Sequence, residues 1–438
     1  MHGKTHNSVE RLAIRDGRII DPANEFDEVA DLFIDSGKVI SVGEPPTTGW
    51  IPAVQIDARN KIVCPGLVDL CAHLREPGQE QKANIQSETY AAAAGGITTL
   101  CCPPDTDPVI DTPAVAELIR HQASIAAHAR VLTLGALTQG LQGEHLSEMA
   151  ALKTAGCPGV SNARKPIQNT LVERRAMEYA ATFGLTVFLY AQDPYLANGG
   201  CAHEGAIATR MGLPAIPAAA ETAAVARDLA LIEQTGVRAH FCRLTTARSV
   251  QMVARAQYDG LPITADVAIP YLFLTENDIV DFDGRCHVAP PFRTQRDREA
   301  LRAGVARGTL SVICSDHQPH EPDAKLAPFP DTEPGISGLD TLLSLTLRLV
   351  DDKVLTLSEG IKRLTSGPAR ILDISKSGIG SLSVGAPADV IVVDPQQSWC
   401  VQPDRFLSAG HNTPFAGWEL SGRVTHTLLN GSVAYCHS

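Results

Sequence analysis

Eight short apolar segments, each followed by a helical pattern, recur between Ile62 and about Val350. This alternation is typical of parallel strands joined by helical crossovers, and eight such units close into a barrel. The sequence therefore predicts an α/β protein whose (β/α)8 barrel, with a connecting helix, spans residues 61–372. The predicted barrel strands are Ile62–Leu70, Thr98–Pro103, Arg130–Leu137, Pro158–Asn162, Leu185–Tyr190, Arg238–Leu244, Ile263–Ile269 and Leu310–Asp316.

Helical periodicity marks the crossovers between these strands. A further helix, from about Ser358 to Leu372, should connect the barrel to the next part of the chain, because Thr356 and Glu359 form the capping-box pattern at its start. The segment 317–338 is rich in proline and lacks periodicity, so we expect a long loop over the barrel mouth. The predicted crossover helices are Pro113–Ala127, Leu171–Thr182, Pro217–Gln234, Ala247–Tyr258, Arg296–Arg307 and Leu339–Val350.

The flanking regions, residues 1–60 and 373–438, are patterned differently from the barrel. Ala30–Val42 has the pattern of two short strands joined by a hairpin turn at Asp35-Ser36-Gly37. In the second region, Ala388–Asp394 and Arg423–Leu429 are typical of strands. We expect the two ends of the chain to form one small β-sandwich beside the barrel.

Composition and charge exclude several classes of function. The chain has 438 residues, a net charge of −12 and no cluster of lysine or arginine, which disfavours nucleic acid as a partner because phosphate binding needs a basic surface. No apolar run approaches the roughly 18 residues that cross a bilayer, and the start of the chain lacks a signal-peptide pattern. Eleven scattered cysteines form no paired C-x-x-C zinc motif. We expect a cytoplasmic protein with no membrane or nucleic acid partner.

Polar and thiol side chains follow several of the predicted strands. In a (β/α)8 barrel the chemistry lies at the C-terminal ends of the strands, so side chains at those ends should converge at one mouth. The residues that fall there are Cys71, His73, Asn162, Tyr190, Arg243 and Asp316.

Several motifs of this chain resemble those of the dihydroorotases, within the cyclic amidohydrolase superfamily, over nearly the whole length. The matching stretches are Pro65-Gly66-Leu67-Val68-Asp69, His73-Leu74-Arg75-Glu76-Pro77-Gly78, Ala94-Gly95-Gly96-Ile97-Thr98-Thr99, Asp316-His317-x-Pro319-His320, Gly385-x-x-Ala388-Asp389 and Asn412-Thr413-Pro414-Phe415-x-Gly417-Trp418. The resemblance implies a barrel of the metal-dependent hydrolase type with a small flanking β-sandwich. It also implies a family activity on cyclic amide C–N bonds.

The resemblance further implies a metal site, which this chain keeps only in part. Active members hold one or two zinc ions with His-x-His after the first strand, a bridging carboxylate after the fourth, single histidines after the fifth and sixth, and an aspartate after the eighth. His73 and Asp316 match this pattern, and Asp316 has the general-base position. The substituted positions are Cys71 for the first histidine, Asn162 for the carboxylate, and Tyr190 and Arg243 for the single histidines.

These substitutions differ in how strongly they oppose metal binding. Cysteine is a competent zinc ligand, whereas asparagine is uncharged and a neutral tyrosine is a weak ligand at pH 7. Arg243 is the most damaging, because its guanidinium keeps its proton and offers no lone pair. A unit charge about 4 Å from a dication at an effective dielectric of about 20 costs roughly 8 kcal/mol. We predict a degenerate site without a metal cofactor, in which Arg243 replaces the charge of the metal and pairs with Asp316.

The substrate positions implied by the resemblance are altered as well. Arg75 matches the arginine that binds the substrate carboxylate in the family. Asp105 stands where an asparagine assists that arginine, and Ala289 stands where another asparagine contacts substrate. An aspartate facing anionic dihydroorotate or carbamoyl aspartate would repel it, so we expect weakened recognition.

Three functions remain open at this point. The resemblance extends to dihydroorotase-like chains that lack the zinc ligands and assemble with the catalytic chain of aspartate carbamoyltransferase, which implies a structural subunit in pyrimidine (UMP) biosynthesis and a homodimer within a larger hetero-oligomer. The first alternative is a surviving dihydroorotase, or related cyclic amidohydrolase, that uses a single zinc held by Cys71, His73 and Asp316. The second is a sensor that binds an anionic metabolite through Arg75.

Overall fold

The computed structural model describes residues 11–47 and 49–437, so residues 1–10 of the predicted N-terminal region lie outside the described part of the chain. The strands are β1 (Leu12–Asp21), β2 (Phe26–Asp35), β3 (Lys38–Val42), β4 (Val54–Asp57), β5 (Ile62–Pro65), β6 (Leu67–Asp69), β7 (Ile97–Cys102), β8 (Arg130–Thr133), β9 (Gly135–Ala136), β10 (Gly159–Ser161), β11 (Thr186–Leu189), β12 (Ala202–His203), β13 (Ala215–Ile216), β14 (Ala239–Phe241), β15 (Ile263–Ala268), β16 (Val312–Cys314), β17 (Val390–Cys400), β18 (Glu419–Leu429) and β19 (Ser432–Cys436).

Helices follow most of the barrel strands, and the predicted crossover helices are found within three residues of their predicted bounds. The α-helices are α1 (Ile85–Ala94), α2 (Pro113–Ala126), α3 (Met149–Thr154), α4 (Thr170–Thr182), α5 (Pro194–Ala197), α6 (Ala206–Met211), α7 (Ala219–Thr235), α8 (Ala247–Tyr258), α9 (Gln295–Arg307), α10 (Leu342–Asp351), α11 (Leu357–Leu364) and α12 (Ser366–Ile371). None of these helices combines the length and the apolar character needed to span a bilayer.

The barrel predicted from the alternation of strands and helices is confirmed. β6, β7 and β8 pair in parallel, and β9, β10, β11, β14, β15 and β16 form a second parallel set in that order. β8 and β9 are two halves of one strand interrupted at Leu134, so they join the two sets. A parallel bridge between Ala72 and His317 closes the cylinder. This closure brings the ends of the first and last strands, where the predicted site residues begin, into direct contact.

Strands from both ends of the chain meet in a separate sheet, the terminal sheet, with the order β19-β18-β17-β5-β1-β2-β3 and with β4 paired to β1. Hydrogen bonding is continuous along this path. The terminal sheet has a hydrophobic core of its own, which includes Leu12, Ile34, Val390 and Leu428. The terminal sheet therefore joins the N-terminal and C-terminal regions beside the barrel.

The predicted first barrel strand, Ile62–Leu70, is in fact two strands that belong to different sheets. β5 pairs with β1 and β17 in the terminal sheet, whereas β6 pairs with β7 in the barrel. Gly66 separates them, and a Cβ at this position would overlap the Thr98 side chain. The close approach of β7 thus requires glycine at the point where the chain enters the barrel.

The prediction of one continuous connecting helix over Ser358–Leu372 was wrong, because the structure has two helices there. The capping box is present, since the Thr356 hydroxyl accepts from the backbone N–H of Glu359 and the Glu359 carboxylate accepts from the backbone N–H of Thr356. The helix then ends at Leu364, because Thr365 leaves the helical region with φ −126° and ψ −90°. A short second helix, α12, carries the chain toward the terminal sheet.

The segment 317–338 packs closely against the barrel mouth. Its first residues, including His317 and His320, are buried. The Asn412 side chain donates to the carbonyls of Gln318 (2.9 Å) and Gly335 (3.0 Å), which holds both ends of the loop together. The loop therefore covers the mouth as a fixed part of the fold.

Candidate functional site

The Arg243 side chain joins the ends of the first and last barrel strands. Its Nη1 donates to Cys71 Sγ at 3.1 Å, and its Nε lies 3.4 Å from Asp316 Oδ1. Cys71, Arg243 and Asp316 are 2%, 6% and 8% exposed. A buried guanidinium thus stands between a sulfur and a carboxylate, and the opposite charges of Arg243 and Asp316 are in contact.

The thiol of Cys71 is in the neutral form. Burial raises its pKa well above the ordinary value, although the Arg243 cation opposes the shift. The Sγ also lies 3.4 Å from Asp316 Oδ1, where the thiol proton can be donated to the carboxylate. A zinc ligand would need the thiolate, so Cys71 is used here as a hydrogen-bonding group.

Backbone conformation fixes the two charged residues in place. Arg243 and Asp316 have φ values of +53° and +46°, in the left-handed region that non-glycine residues rarely adopt. The Arg243 backbone N–H donates to Asp266 Oδ1, which ties the end of β14 to β15. Such conformations persist only where the surrounding structure holds them.

Tyr190, at the position where the resemblance implies a histidine, packs against the same guanidinium. The Cζ atom of Arg243 lies 5.5 Å from the centroid of the Tyr190 ring, within the range of a cation–π contact. Burial raises the pKa of the Tyr190 hydroxyl to about 12. The phenol is therefore neutral at pH 7 and serves as a packing surface for Arg243.

Asn162, at the position where the resemblance implies a bridging carboxylate, is hydrogen-bonded within the neighbouring loops. Its Oδ1 accepts from the Thr138 hydroxyl at 2.7 Å, and its Nδ2 donates to the Lys165 carbonyl at 2.7 Å. Both ends of the amide are used, so the side chain stabilises the turn after β10 and leaves no free oxygen for an ion.

His73 is directed toward Asp105. Its Nε2 lies 3.3 Å from Asp105 Oδ2, and its Nδ1 lies 3.3 Å from the His317 carbonyl oxygen. Burial lowers the pKa of His73. Burial alone would raise the pKa of Asp105. The attraction of His73 and of the Arg164 cation outweighs this effect and holds the pKa of that carboxyl well below its usual range. Asp105 is thus an anion at pH 7, as the sequence predicts for this position.

Arg75 is held by the protein itself. Its Nε donates to the Pro319 carbonyl and its Nη1 to Gln79 Oε1, both at 3.0 Å. Burial and the neighbouring Arg164 cation lower the pKa of Arg75 to about 10, so the side chain is still charged at pH 7. Two of its donors are thus already used within the protein, and one of them is used by the loop that covers the mouth.

Ala289, at the other altered substrate position, lies in the segment that leads into α9. The carbonyl of the next residue, Pro290, accepts from the buried Tyr271 hydroxyl at 2.5 Å. An alanine methyl has no hydrogen-bonding group, so this position offers a ligand only a nonpolar contact.

Arg164 is a residue of the mouth that sequence reasoning missed. Its charge influences the pKa values of His73, Arg75, Asp105 and Tyr190, so it lies among the predicted site residues. Its Nη1 atom is buried without a hydrogen-bond partner. No motif of the sequence identifies Arg164 as a site residue. Only its position two residues beyond Asn162 could have indicated that it lies at the mouth.

Little space remains beside these side chains. The cavity lined by His73, Arg75 and Asp105 has a volume of about 20 Å³, and the cavity beside Asn162 and Tyr190 is equally small. Pockets that enclose small metabolites usually measure about 300–1,000 Å³. Each of these two cavities has room for about one water molecule.

The residues present do not fit the zinc site that the family pattern implies. To hold a metal ion, at least three ligand atoms must lie close together. Within residues 11–47 and 49–437, the one group of His, Cys, Asp or Glu side chains that meets this condition is His240, Cys242 and Asp266. Cys71, His73 and Asp316 do not form such a group, because His73 is turned to Asp105 and Arg243 contacts the other two.

The group around His240 has a simpler role. His240 Nε2 lies 2.9 Å from Asp266 Oδ2, and its Nδ1 lies 2.7 Å from Thr264 Oγ1. Both ring nitrogens are therefore engaged, and the side chain is fully buried. This histidine links β14 to β15 beneath Arg243.

Comparison with known proteins places the chain in a family. A family model described as Dihydro-orotase-like matches residues 60–249. Dihydroorotase-like proteins of Pseudomonas putida and Pseudomonas aeruginosa are each 50% identical to this chain, over 97% of its length and 99% of theirs. The chain belongs to the dihydroorotase-like family. A relative from Syntrophotalea carbinolica named Dihydroorotase is 43% identical, again over 97% of this chain and 99% of its own length.

Solved structures support the fold of this dihydroorotase-like protein. The L-hydantoinase of Arthrobacter aurescens matches with a TM-score of 0.87 and 22% identity, covering 97% of this chain and 96% of its own. A D-hydantoinase matches with a TM-score of 0.81 and 21% identity, over 96% and 94% of the two chains. At this level of identity the likeness establishes the barrel fold with its sheet of terminal strands, and it leaves the activity to be argued from the site.

Proposed function

We propose that this dihydroorotase-like protein is not a zinc hydrolase, and that it serves as a structural subunit of aspartate carbamoyltransferase in pyrimidine biosynthesis. The observation that carries the first part is the position of Arg243, whose Nη1 lies 3.1 Å from Cys71 Sγ and whose Nε lies 3.4 Å from Asp316 Oδ1. A permanent cation in contact with two ligand positions opposes the binding of a dication there.

Loss of the metal removes the nucleophile. Bound zinc lowers the pKa of water enough to supply hydroxide at neutral pH, and no other group of the mouth has this effect. Asp316, at the general-base position, is instead the counter-ion of Arg243. The mouth residues therefore stabilise the barrel and perform no hydrolysis.

The substrate side of the site supports the same proposal. Two donors of Arg75 are engaged by Pro319 and Gln79, and Asp105 adds a negative charge where an anionic substrate would bind. The adjoining cavity of about 20 Å³ excludes a ring-sized ligand. The same lack of space argues against a sensor that binds an anionic metabolite through Arg75.

The assembly role rests on the family resemblance together with the state of the fold. The barrel, the terminal sheet and the covering loop are all built with buried cores, so the chain keeps its shape although the site has changed. The two relatives at 50% identity carry the name Dihydroorotase-like protein. A folded barrel without its chemistry is suited to a binding role in a hetero-oligomer, within which we expect the chain to form a homodimer.

An activity assay tests the first part. The purified full chain should neither hydrolyse dihydroorotate nor condense carbamoyl aspartate, whereas the Syntrophotalea carbinolica relative named Dihydroorotase, purified in the same way, serves as a positive reference. The Asp316→Asn variant is the matched control. Turnover that is lost in this variant would contradict the proposal, and turnover that persists in it comes from a contaminant.

Co-expression with the aspartate carbamoyltransferase chain of the same organism tests the assembly role. The two chains should elute together in size-exclusion chromatography with light scattering at physiological salt. Under conditions where a thermal melt shows that Asp316→Asn is folded, this variant should also assemble, because assembly does not need the chemistry of the mouth. Separate elution of the two wild-type chains would refute the assembly role and would leave the result of the activity assay unaffected.

A surviving dihydroorotase is the second candidate, and the observation in its favour is the 40–43% identity to relatives named Dihydroorotase. This candidate requires Arg243 to move away from Cys71 and Asp316 so that these residues and His73 can bind one zinc. Measured turnover together with bound zinc would establish it in place of the structural role.

A further inference from the structure

A cavity of about 300 Å³ lies between the barrel helices and the terminal sheet. Its walls come from the end of α1, the start of α10, the loop 402–407 and strands β17 to β19. It shares no lining residue with the two small cavities of the mouth. The lining side chains that bear on a ligand are Asp340, Ser344, Trp399, Arg405, Arg423 and Tyr435. Its volume matches the lower end of small-molecule pockets.

Positive groups dominate one part of this cavity, which we term the sheet cavity. Among the described residues, no carboxylate lies within 4 Å of the guanidinium of Arg405 or Arg423. Arg423 Cζ lies 4.8 Å from the centroid of the Trp399 ring, a contact that positions the guanidinium without neutralising it. Leu343 and Ser344, in the first turn of α10, also line the cavity, and amides of a first helical turn have no partner within the helix.

Asp340 contributes an unusual carboxyl group to the same wall. Its Oδ1 accepts from the Leu407 backbone N–H at 3.1 Å, whereas its Oδ2 is buried without any hydrogen-bond partner. An unpartnered buried polar atom is costly, so a partner from outside the chain would be favourable. Burial raises the pKa of Asp340 to about 7, and near neutral pH this oxygen therefore carries a proton in part of the molecules and can donate it.

We propose that the sheet cavity binds a phosphate group, either free phosphate or the monoester of a small metabolite. Two guanidinium groups, the backbone amides of Leu343 and Ser344 and the Asp340 hydroxyl together offer more donors than the two oxygens of a carboxylate can accept. A phosphate group has enough oxygens to accept from all of them. The site lies outside the barrel mouth, and its existence does not depend on the function proposed above.

Calorimetric titration of the full chain with inorganic phosphate and with glycerol 3-phosphate tests this proposal. Saturable binding to a single site is expected for at least one of them. Tighter binding of glycerol 3-phosphate identifies the natural ligand as a monoester, and tighter binding of phosphate identifies it as the free ion. Absence of saturable binding for both, or saturable binding of succinate alone, would overturn the proposal.

Charge-removing variants locate the binding site. Arg423→Gln and Arg405→Gln should each weaken phosphate binding about tenfold, because each removes a charge-assisted hydrogen bond. Arg348→Gln is the matched control, since Arg348 lies on α10 and stacks on Trp418 at 5.9 Å, outside the cavity. Thermal melts without phosphate check that each variant folds. An equal loss of binding in Arg348→Gln would show nonspecific binding and refute the site.

The Asp340→Asn variant tests the role of the unpartnered oxygen. The groups that act on Asp340 are Glu88, which raises its pKa, Arg423, which lowers it, the Leu407 N–H and the neighbouring Tyr435. The asparagine amide donates at every pH. The phosphate affinity of the wild type, divided by that of Asp340→Asn, should therefore fall as the pH rises from about 6 to about 8. Parallel pH profiles would contradict a donor role for Asp340.

Discussion

The Arg243 guanidinium brings a permanent positive charge to the barrel mouth and has no lone pair for a metal ion. It contacts Asp316 and donates to Cys71, yet it offers no open position at which water could be activated. The sequence predicts this arrangement because a permanent charge belongs to the residue type, and its place at the end of β14 follows from the barrel. Arg164 and Asp340 escaped prediction because their importance depends on which distant elements pack around them.

Replacement of Arg243 should destabilise the protein. Arg243→Met leaves Asp316 buried without its counter-ion, and we expect the free energy of unfolding to fall by about 3–5 kcal/mol in urea denaturation. The double variant Arg243→Met/Asp316→Asn should recover part of the loss, because the unpaired charge is gone. Arg255→Met, which alters an arginine whose side chain is 72% exposed, should change stability by less than about 0.5 kcal/mol. Similar losses for Arg243→Met and Arg255→Met would contradict the buried ion pair.

At the scale of elements, local signals predicted where helices begin better than where they end. The capping box of Thr356 and Glu359 marks the start of α11 correctly. The break at Thr365 was missed, although Gly367 and Pro368 are weak helix formers. The backbone just after the break is closely packed, since a Cβ on Gly367 would lie 2.9 Å from the Ser311 carbonyl and 2.8 Å from that of Lys362.

This close packing makes Gly367 sensitive to substitution. Gly367→Ala should destabilise the protein by about 2 kcal/mol, because backbone carbonyls must move to admit the methyl group. Gly360→Ala on the preceding helix is the control, since its Cβ would make ordinary contacts at 3.4 Å and 3.5 Å and alanine favours a helix by up to about 1 kcal/mol. Thermal unfolding of the two variants measures the difference, and equal stabilities would refute the close approach.

The packing of α4 on α7 should make stability depend on pH. Glu173 and Asp228 are buried, with Glu173 Oε2 and Asp228 Oδ1 at 3.0 Å and 3.1 Å from Arg227 Nη2. Burial raises the pKa of both carboxyls. The folded chain then holds protons that the unfolded chain releases, so stability falls as the pH rises from about 5 to about 8. Glu173→Gln should reduce this slope in urea denaturation at several pH values.

Glu178→Gln is the matched control on the same helix. Glu178 pairs at the surface with Arg174 and Arg175, and such pairs contribute little to stability. In the Glu178→Gln variant, the free energy of unfolding should depend on pH as it does in the wild type. A Glu173→Gln variant with an unchanged slope would show that the buried acids do not titrate in this range.

For the whole molecule, the alternation of strands and helices was sufficient to predict the barrel. The strand patterns of the flanking regions predicted a small β-sandwich from both chain ends, which the structure forms as one sheet of terminal strands. The division of Ile62–Leu70 between two sheets was not predictable, because both halves are apolar and only the tertiary pairing separates them. The small mouth cavities and the larger sheet cavity likewise arise from contacts between distant segments. The residues at the positions where the resemblance implies metal ligands could be read from the sequence, whereas the space around them required the structure.

The zinc content of the full chain tests most directly the claim that Arg243 excludes a metal ion from the barrel mouth. The protein is purified from cells grown with added zinc, and its zinc is measured by elemental mass spectrometry. If Arg243 excludes the ion, the content should be far below one zinc per chain and should not rise in the Asp316→Asn variant. One zinc per wild-type chain, lost in Asp316→Asn, would contradict the claim that Arg243 excludes the metal.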